Sequence, residues 1–279
     1  MVIGVDVGGS TTKLVACDEK DKTIGAYQID SGKNQVESVS SALDAFFEKN
    51  RLSWTDVDKI ILTGVGASYF SGNIHSVPTY KISEFEAIGF GGLAASGLDE
   101  ALVVSMGTGT ALVMSKGSMH RHIGGSGLGG GTLCGLGMML LNESNVYAIA
   151  DLAETGRLGG VDLMVRDICC RETDTLPLWL TASNFGKLDS MPTRGDIALG
   201  LINMVFQTIC KVATFACQNT PIKDAVLTGT LAAIPQTGQI FRQLGEFYGM
   251  HFMIPENPAF ATALGAIAAH KNEIKTVVY

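Results

Sequence analysis

The chain has 279 residues, of which 46% are hydrophobic and 17% charged, so it is large enough to bury the core of one domain or of two lobes. Its formal charge of −7, without a long basic run, argues against nucleic acid and anionic membranes as partners. No export signal or membrane-spanning stretch is apparent, so we expect a cytoplasmic protein that acts on a small molecule.

The first part of the chain is predicted to form a hairpin with a glycine turn, followed by a mixed α/β lobe. Alternating or continuous apolar runs predict the strands, and apolar residues at helical spacing predict the helices. In chain order the elements are strands at Val2–Val7, Leu14–Cys17 and Thr23–Ile29, a helix at Val36–Lys49, strands at Lys59–Leu62 and Val77–Lys81, and a helix at Glu84–Ser96.

The second part repeats the arrangement of strand, glycine turn and strand. The predicted elements are strands at Ala101–Met106, Thr110–Ser115 and Ser118–Ile123, helices at Thr132–Leu141, Val146–Glu154, Val161–Cys170 and Ile197–Asn219, then a strand at Asp224–Thr228, a helix at Pro235–Tyr248, a strand at His251–Ile254 and a helix at Ala261–Lys271. Strands that alternate with crossover helices indicate an α/β fold. We expect two lobes, residues 1–105 and 106–279, packed around a cleft.

The first glycine turn carries the residues expected of a phosphate site. It reads Asp6-Val7-Gly8-Gly9-Ser10-Thr11-Thr12-Lys13. Glycines let backbone N–H groups approach an anion, hydroxyls and a lysine bind phosphate oxygens, and a carboxylate can hold Mg²⁺ through its waters. The alternative is an ordinary hairpin turn. Asp6 argues against it, because a carboxylate at the end of a buried strand is costly without a partner.

Three further glycine turns follow predicted strands or precede a predicted helix. They are Gly107-Thr108-Gly109, the run from Gly124 to Gly131, and Thr228-Gly229-Thr230. A helix that begins after such a turn presents free N–H groups to a phosphate. One such turn is weak evidence, but several in order, with Asp6 in the first, predict an ATP site with magnesium.

The order of the segments DVGGSTTK, SEFEAIG, MGTGTA, IGGSGLGGGTLCGLG, DLMVRDI, LTASNFGK, TGT and ENPAFATALGAI resembles the type II pantothenate kinases, the eukaryotic and staphylococcal branch, over nearly the whole chain. The resemblance implies the two-lobed actin-like ATPase fold, which is ribonuclease H-like, with duplicated mixed sheets and crossover helices. It also implies a homodimer that uses ATP and Mg²⁺ to phosphorylate the terminal hydroxyl of pantothenate, the first step of coenzyme A synthesis.

The same resemblance assigns roles to individual residues. Glu84 would be the catalytic base, although a carboxylate in the first turn of a helix is also favoured by the helix dipole alone. Asp6 would hold the magnesium. The residues expected to bind the nucleotide are Asp6, Val7, Gly8, Gly9, Ser10, Thr11, Thr12, Lys13, Gly107, Thr108, Gly109, Gly129, Gly130, Gly131, Thr132, Leu133, Cys134, Thr228, Gly229 and Thr230.

The chain departs from the family on the acceptor side. His122 stands where the family has an arginine that stabilises the reacting groups, Arg121 precedes it, and Ala111 replaces a common serine. Neighbouring residues on a strand point to opposite faces, so Arg121 could replace the lost arginine only if the strand bulged. His122 and Arg121 are therefore both catalytic candidates, and His122 lacks the bidentate fork of arginine.

Three other functions stay open. The first is a kinase of the same fold that acts on a sugar or another small alcohol, as the acceptor-side changes permit. The second is an ATPase that activates a dehydratase through an iron–sulfur cluster, suggested by Cys134 but lacking a clear partner to it, since Cys169-Cys170 lies in another pattern. The third is an ATP-binding regulator without catalysis.

Overall fold

The structure is a computed structural model that describes residues 1–20, 22–32, 34–171, 176–187, 189 and 191–277. The first half contains strands β1 (Val2–Val7), β2 (Thr11–Cys17), β3 (Thr23–Asp30), β4 (Lys59–Thr63) and β5 (Thr79–Lys81), with helices α1 (Gln35–Asn50) and α2 (Glu84–Ser96). The second half contains strands β6 (Glu100–Met106), β7 (Thr110–Lys116), β8 (Met119–Ser126), β9 (Leu163–Met164), β10 (Thr181–Ser183), β11 (Asp224–Thr228) and β12 (His251–Met253), with helices α3 (Gly130–Leu141), α4 (Val146–Ala153), α5 (Val165–Ile168), α6 (Arg194–Cys217), α7 (Gln236–Tyr248) and α8 (Ala261–Val277).

Two five-stranded sheets have the same strand order. The first runs β3-β2-β1-β4-β5, and the second, read in the same sense, runs β8-β7-β6-β11-β12. The hairpins β1–β2 and β6–β7 are antiparallel. On the other side of β1 lie β4 and β5, which run parallel to it, and β11 and β12 lie beside β6 in the same way. The predicted duplication of a mixed sheet is confirmed.

Each sheet has a core of its own. In the first, the alternate residues of β1 and β4 pack with Val39, Leu43 and Phe46 of α1, whose N-terminus is capped by the Asn34 side chain. This follows from the period of a strand, which sends every second side chain to the same face. In the second, β6 and β11 pack against α3, α4, α6 and α7, with Phe206 of α6 fully buried. The apolar spacing in the sequence predicts both faces correctly.

Helices α2 and α8 lie against each other between the two sheets. α8 packs on β1 and β4 of the first sheet, and α2 packs on β6, β7 and β8 of the second. Their backbones touch, because a Cβ at Gly265 would lie 1.8 Å from the Ala87 carbonyl oxygen and one at Gly91 only 2.0 Å from that of Ala261. Only glycine fits at these positions. The proposed lobe boundary at 105/106 falls one residue before the end of β6.

The sequence prediction is wrong for the segment 161–170, which is not one helix. The short strand β9 and the four-residue α5 occupy this range, and a 3-10 turn at Leu158–Gly160 precedes it. Strand β10, which pairs with β9, is absent from the sequence prediction. The backbone N–H groups of Val165 and Arg166 donate to carbonyl oxygens of Leu180 and Leu178. These bonds hold the segment against a later part of the chain. Tertiary pairing thus overrides the local helical pattern.

One helix in the described part of the chain, α6, is long and apolar enough to cross a membrane by length and composition. More than half of its most apolar stretch is buried inside the protein, where it packs against the second core. A buried core helix passes the same test, so this is weak evidence for a membrane span.

Candidate active site

Three parallel strands of the first sheet, β1, β4 and β5, bring three polar residues to the same edge. Asp6 of β1 lies in register with Thr63 at the end of β4, and Glu84 begins α2 just after β5. Asp6 also lies opposite Lys13 across the hairpin, and both side chains are buried. The carboxyl ends of parallel strands are where α/β proteins bind ligands. The buried carboxylate expected to need a partner therefore faces a lysine.

The charge of Asp6 acts on the second carboxyl group at this edge, Glu84. Burial raises the pKa of Asp6, and the positive charge of Lys13 partly offsets it. Burial also raises the pKa of Glu84, and the negative charge of Asp6 raises it further. Glu84 therefore keeps its proton to a higher pH than an ordinary glutamate, which moves it toward the range in which a carboxylate works as a general base.

The glycine turns of the two hairpins meet. The hydroxyls of Ser10 and Thr108 lie 2.8 Å apart and form a hydrogen bond between the first turn and the second. The third glycine loop rests on the second through its backbone, since the N–H groups of Gly130 and Gly131 donate to the carbonyl oxygens of Gly107 and Thr108 at 2.7 and 2.9 Å. The N-terminus of α3 therefore begins beside both turns.

The fourth loop also packs on the second. Gly229 has a φ of +87°, and a Cβ there would lie 2.5 Å from the Met106 carbonyl oxygen, so a larger residue would push the loop off the strand end. Leu231 of this loop lies 3.8 Å from where a Cβ of Gly130 would be. The first, third and fourth predicted loops thus all contact the second, so the four lie together.

The side chains of some predicted nucleotide residues pack or pair within the protein. Val7 and Leu133 are buried in the first and second cores, and the Thr12 hydroxyl pairs with that of Ser31 at 3.0 Å. Thr132 donates to the Gly127 carbonyl oxygen and so stabilises the loop. Cys134 is half-buried. Burial raises the pKa of its thiol, and the negative charge of Asp30 raises this pKa further.

The residues present fit magnesium held together with phosphate oxygens. Within the described ranges, no hydrogen-bond donor reaches the Asp6 carboxylate, and no group of three or more His, Cys, Asp or Glu side chains forms a complete metal site. Mg²⁺ typically binds one or two carboxylates and completes its shell with water and substrate phosphates. Asp6, with Glu84 nearby, supplies this kind of incomplete donor set.

One protein family matches most of the chain. The model of the family described as Fumble matches residues 66–269, almost three quarters of the chain. The chain belongs to the Fumble family. The matched range begins after the Asp6 hairpin, but full-length relatives cover that part too.

The relatives of this Fumble protein include curated proteins named type II pantothenate kinase. The one from Staphylococcus aureus strain USA300 is 28% identical over 97% of this chain and 100% of its own. The one from strain MRSA252 is 29% identical over 96% of this chain and 98% of its own. The resemblance that the motif order indicates is therefore confirmed.

Solved structures share the fold of the Fumble protein at low identity. An activator of 2-hydroxyisocaproyl-CoA dehydratase from Clostridium difficile, with bound ADPNP, has a TM-score of 0.68 at 15% identity and covers 98% of this chain and 97% of its own. A ROK family glucokinase from Streptomyces griseus, in complex with glucose and AMPPNP, has a TM-score of 0.63 at 12% identity and covers 95% and 97%. These likenesses confirm the two-lobed ATPase-type fold.

The two acceptor-side candidates of this Fumble protein lie on opposite faces of β8. His122 stacks on Phe85, the neighbour of Glu84, with ring centroids 3.9 Å apart and planes 10° apart. Arg121 instead pairs with Met114, whose side chain packs toward the second core. The strand does shift register between His122 and Gly124, but the shift leaves Arg121 on the face away from α2. His122, not Arg121, therefore lies on the face that contacts Phe85, the residue after Glu84.

Sequence reasoning missed two features of the site. Phe85 positions the His122 ring, and only the packing of α2 on β8 shows this. Thr63 lies between the two carboxylates, and a signal for it exists in the sequence, because Leu62-Thr63-Gly64 repeats as Leu227-Thr228-Gly229. Both glycines have a φ of +87° and precede a 3-10 turn.

Proposed function

We propose that the protein is an ATP-dependent kinase that phosphorylates the terminal hydroxyl of pantothenate to 4'-phosphopantothenate. The observation that carries this proposal is the position of Glu84. It lies beside Asp6 at the edge of the first sheet, next to the glycine loops. Membership of the Fumble family and the names of the curated relatives support the choice of acceptor.

The glycine loops would hold the nucleotide. The first turn and the loop before α3 both contact the second turn, so the nucleotide would lie where the three meet, with its phosphates close to the glycine backbone. Ser10 and Thr108 add hydroxyls from both halves, and Lys13 places a positive charge next to Asp6. Magnesium, held by Asp6 through its waters, would neutralise charge on the phosphates.

Glu84 would accept the proton of the acceptor. In the transfer, the acceptor oxygen forms a bond to the γ-phosphorus, the bond from that phosphorus to the bridging oxygen of ADP breaks, and the hydroxyl proton passes to the Glu84 carboxylate. The raised pKa of Glu84 makes its carboxylate a stronger base than that of an ordinary glutamate. Asp6 assists through its charge.

His122 and Phe85 would form the wall of the acceptor pocket. The flat ring of His122 can donate an N–H to a carbonyl or carboxylate oxygen of the acceptor, and the stacked Phe85 fixes its orientation. Ala111 lies on the same face of the sheet, near Val113, and adds no hydroxyl. The pocket therefore offers fewer charged contacts to an acceptor than an arginine and a serine would.

The test is ADP release from purified protein with Mg-ATP, with and without pantothenate, for the parent and Glu84→Gln. We expect pantothenate-dependent release that falls about 10²- to 10⁴-fold in the variant, the usual effect of a general base. Glu86→Gln is the matched control, because Glu86 lies in the same helical turn but is exposed. It should retain activity.

Other outcomes would select another function. Release that depends on glucose or another alcohol instead would point to a different acceptor for the same site. Tight ATP binding without any acceptor-dependent release would indicate a regulator, and brown protein containing iron would indicate a dehydratase activator. The predicted homodimer is tested separately by light scattering, where a mass near twice 29.4 kDa is expected.

A further inference from the structure

We infer that Thr63 is a further ligand-contacting residue, whose hydroxyl binds an oxygen of the magnesium–nucleotide complex beside Asp6. The Thr63 side chain is 0% exposed, and its Oγ1 has no hydrogen-bond partner in the part of the chain that the structure describes. A buried hydroxyl without a partner costs stability. Thr63 therefore lacks a structural reason for its hydroxyl.

The face of the sheet on which Thr63 lies is the face of the site. Along β4, Ile60 and Leu62 pack into the first core with α1, while Ile61 packs with Ile82 and Ala87 near α2. Thr63 is two residues after Ile61, so its side chain is on the α2 side. Asp6 is paired with Thr63 in the register of β1 and β4. The side chains of Val5 and Val7 point into the core with α1, so the Asp6 side chain between them points to the opposite face, the α2 side.

The Thr63 hydroxyl therefore lies in a row of polar groups. Asp6 is its neighbour on one side, and the turn that leads from β5 to Glu84 follows on the other, where the Ile82 N–H donates to the Leu62 carbonyl oxygen. Gly64, directly after Thr63, approaches so closely that a Cβ there would lie 2.7 Å from Asp6 Oδ1. Because the hydroxyl is enclosed within the protein, an oxygen bound next to Asp6 would reach it once the Thr63–Gly64 turn moves outward.

The second half of the protein repeats this arrangement. Thr228 ends β11, lies in register with Ser105 of β6 as Thr63 does with Asp6, and precedes Gly229, which has the same φ of +87° as Gly64. Its side chain is 1% exposed, and its Oγ1 also has no hydrogen-bond partner within the described residues. An unpaired hydroxyl at the same place in both halves is difficult to explain as a packing defect. It fits a ligand that lies between the halves.

This inference rests on the proposed function, because it takes a magnesium–nucleotide complex to bind beside Asp6. A hydroxyl both donates and accepts, so it can bind either a phosphate oxygen or a water of the metal. The phosphate and the metal-bound water would each present a charged or polarised oxygen to the Thr63 hydroxyl. Nucleotide with and without magnesium distinguishes them.

The experiment compares the full-length parent with Thr63→Val, Thr63→Ser and Thr208→Val. Thermal unfolding without ligand and the Kd for AMPPNP, with Mg²⁺ or with EDTA, are measured for each. Valine has nearly the shape of threonine and favours strands, so Thr63→Val should unfold at the same temperature as the parent or above it. Its Kd for Mg-AMPPNP should rise roughly 2- to 10-fold, the usual effect of one hydrogen bond, and Thr63→Ser should restore most of the affinity.

Thr208→Val is the matched control, because the Thr208 hydroxyl is already satisfied by the Met204 carbonyl oxygen at 2.8 Å within α6. It should leave the Kd unchanged. If the loss in Thr63→Val disappears in EDTA, the hydroxyl binds a metal water; if it persists, the hydroxyl binds a phosphate oxygen.

Two of the three results below would overturn the inference, and the third would overturn its basis. If the parent binds Mg-AMPPNP and Thr63→Val binds it equally well, the hydroxyl does not contact the ligand. A lower unfolding temperature of Thr63→Val with unchanged Kd would lead to the same conclusion. If the parent itself binds no nucleotide, the proposed kinase function fails.

Discussion

The contact between α2 and α8 predicts a large effect of one methyl group. In Gly265→Ala the new Cβ would lie 1.8 Å from the Ala87 carbonyl oxygen and must move outward by about 1.6 Å to reach the 3.4 Å of ordinary contact. Overpacking of this kind costs about 3 kcal/mol at the upper end of its usual range, while alanine in a helix regains about 1 kcal/mol over glycine. The expected net loss is about 2 kcal/mol in the free energy of unfolding.

Differential scanning calorimetry or circular dichroism would measure this loss as a fall in Tm of about 4–8 °C, at 2–4 °C for each kcal/mol. Gly238→Ala is the matched control, since it lies within α7 and the nearest atom to its Cβ would be 3.9 Å away. It should gain about 1 kcal/mol, and its Tm should rise. A rise in the Tm of Gly265→Ala like that of the control would refute the argument that the two backbones touch.

Four further predictions concern Glu84, Gly64 and the buried Asp162. The kcat/KM of the parent should fall as the pH drops through the raised pKa of Glu84, because a protonated carboxyl accepts no proton, and the residual rate of Glu84→Gln should lack this pH dependence. The folded chain keeps the Glu84 proton to a higher pH than the unfolded chain, so stability falls as the pH rises from about 4.5 toward the raised pKa. Glu84→Gln should therefore have a higher Tm than the parent at pH 7. A lower Tm would contradict the argument that burial disfavours the charged carboxylate. Gly64→Ala should lose more than about 1 kcal/mol of stability, because Gly64 has a positive φ. Its new Cβ should also displace the Asp6 side chain and weaken the binding of Mg-nucleotide. Unchanged binding in a titration would argue against the close approach of Gly64 to Asp6. Asp162→Ala should lower the free energy of unfolding by about 3 kcal/mol or more, measured by urea denaturation. The reason is that the buried Asp162 carboxylate accepts hydrogen bonds from four donors: Thr181, Asn184, the Phe185 backbone and Asn203. A loss below about 1 kcal/mol would show that these donors find other partners.

The sequence was sufficient for features that depend on local pattern. The hairpin around Gly8 and Gly9 follows from apolar strands on both sides of a turn, and α1 follows from apolar residues at helical spacing. The duplication of the sheet was readable from the second glycine turn at Gly107. Because each of these signals lies within a few dozen residues, no knowledge of the tertiary structure was needed.

Features that depend on contacts across the chain were not predictable in this way. The segment 161–170 has apolar residues that fit a helix, but its hydrogen bonds go to residues 178–185, which hold it in another form. The stack of Phe85 on His122 depends on how α2 lies on β8. Arg121 is a candidate from the sequence only if the strand bulges, and the register of β8 places it on the other face. The alternation of side chains along a strand indicates that Arg121 and His122 point to opposite faces, but only the pairing of β8 with β7 shows which face each one takes.

The duplicated sheets are equal in topology but unequal in charge. Asp6 and Ser105 occupy equivalent places, each in register with the threonine of an LTG segment, so the carboxylate exists in one half alone. A symmetric scaffold therefore carries a carboxylate in one half and a neutral hydroxyl at the equivalent place in the other. Under the proposed function this single difference would confine the cation to the first half, so the two halves would not be interchangeable.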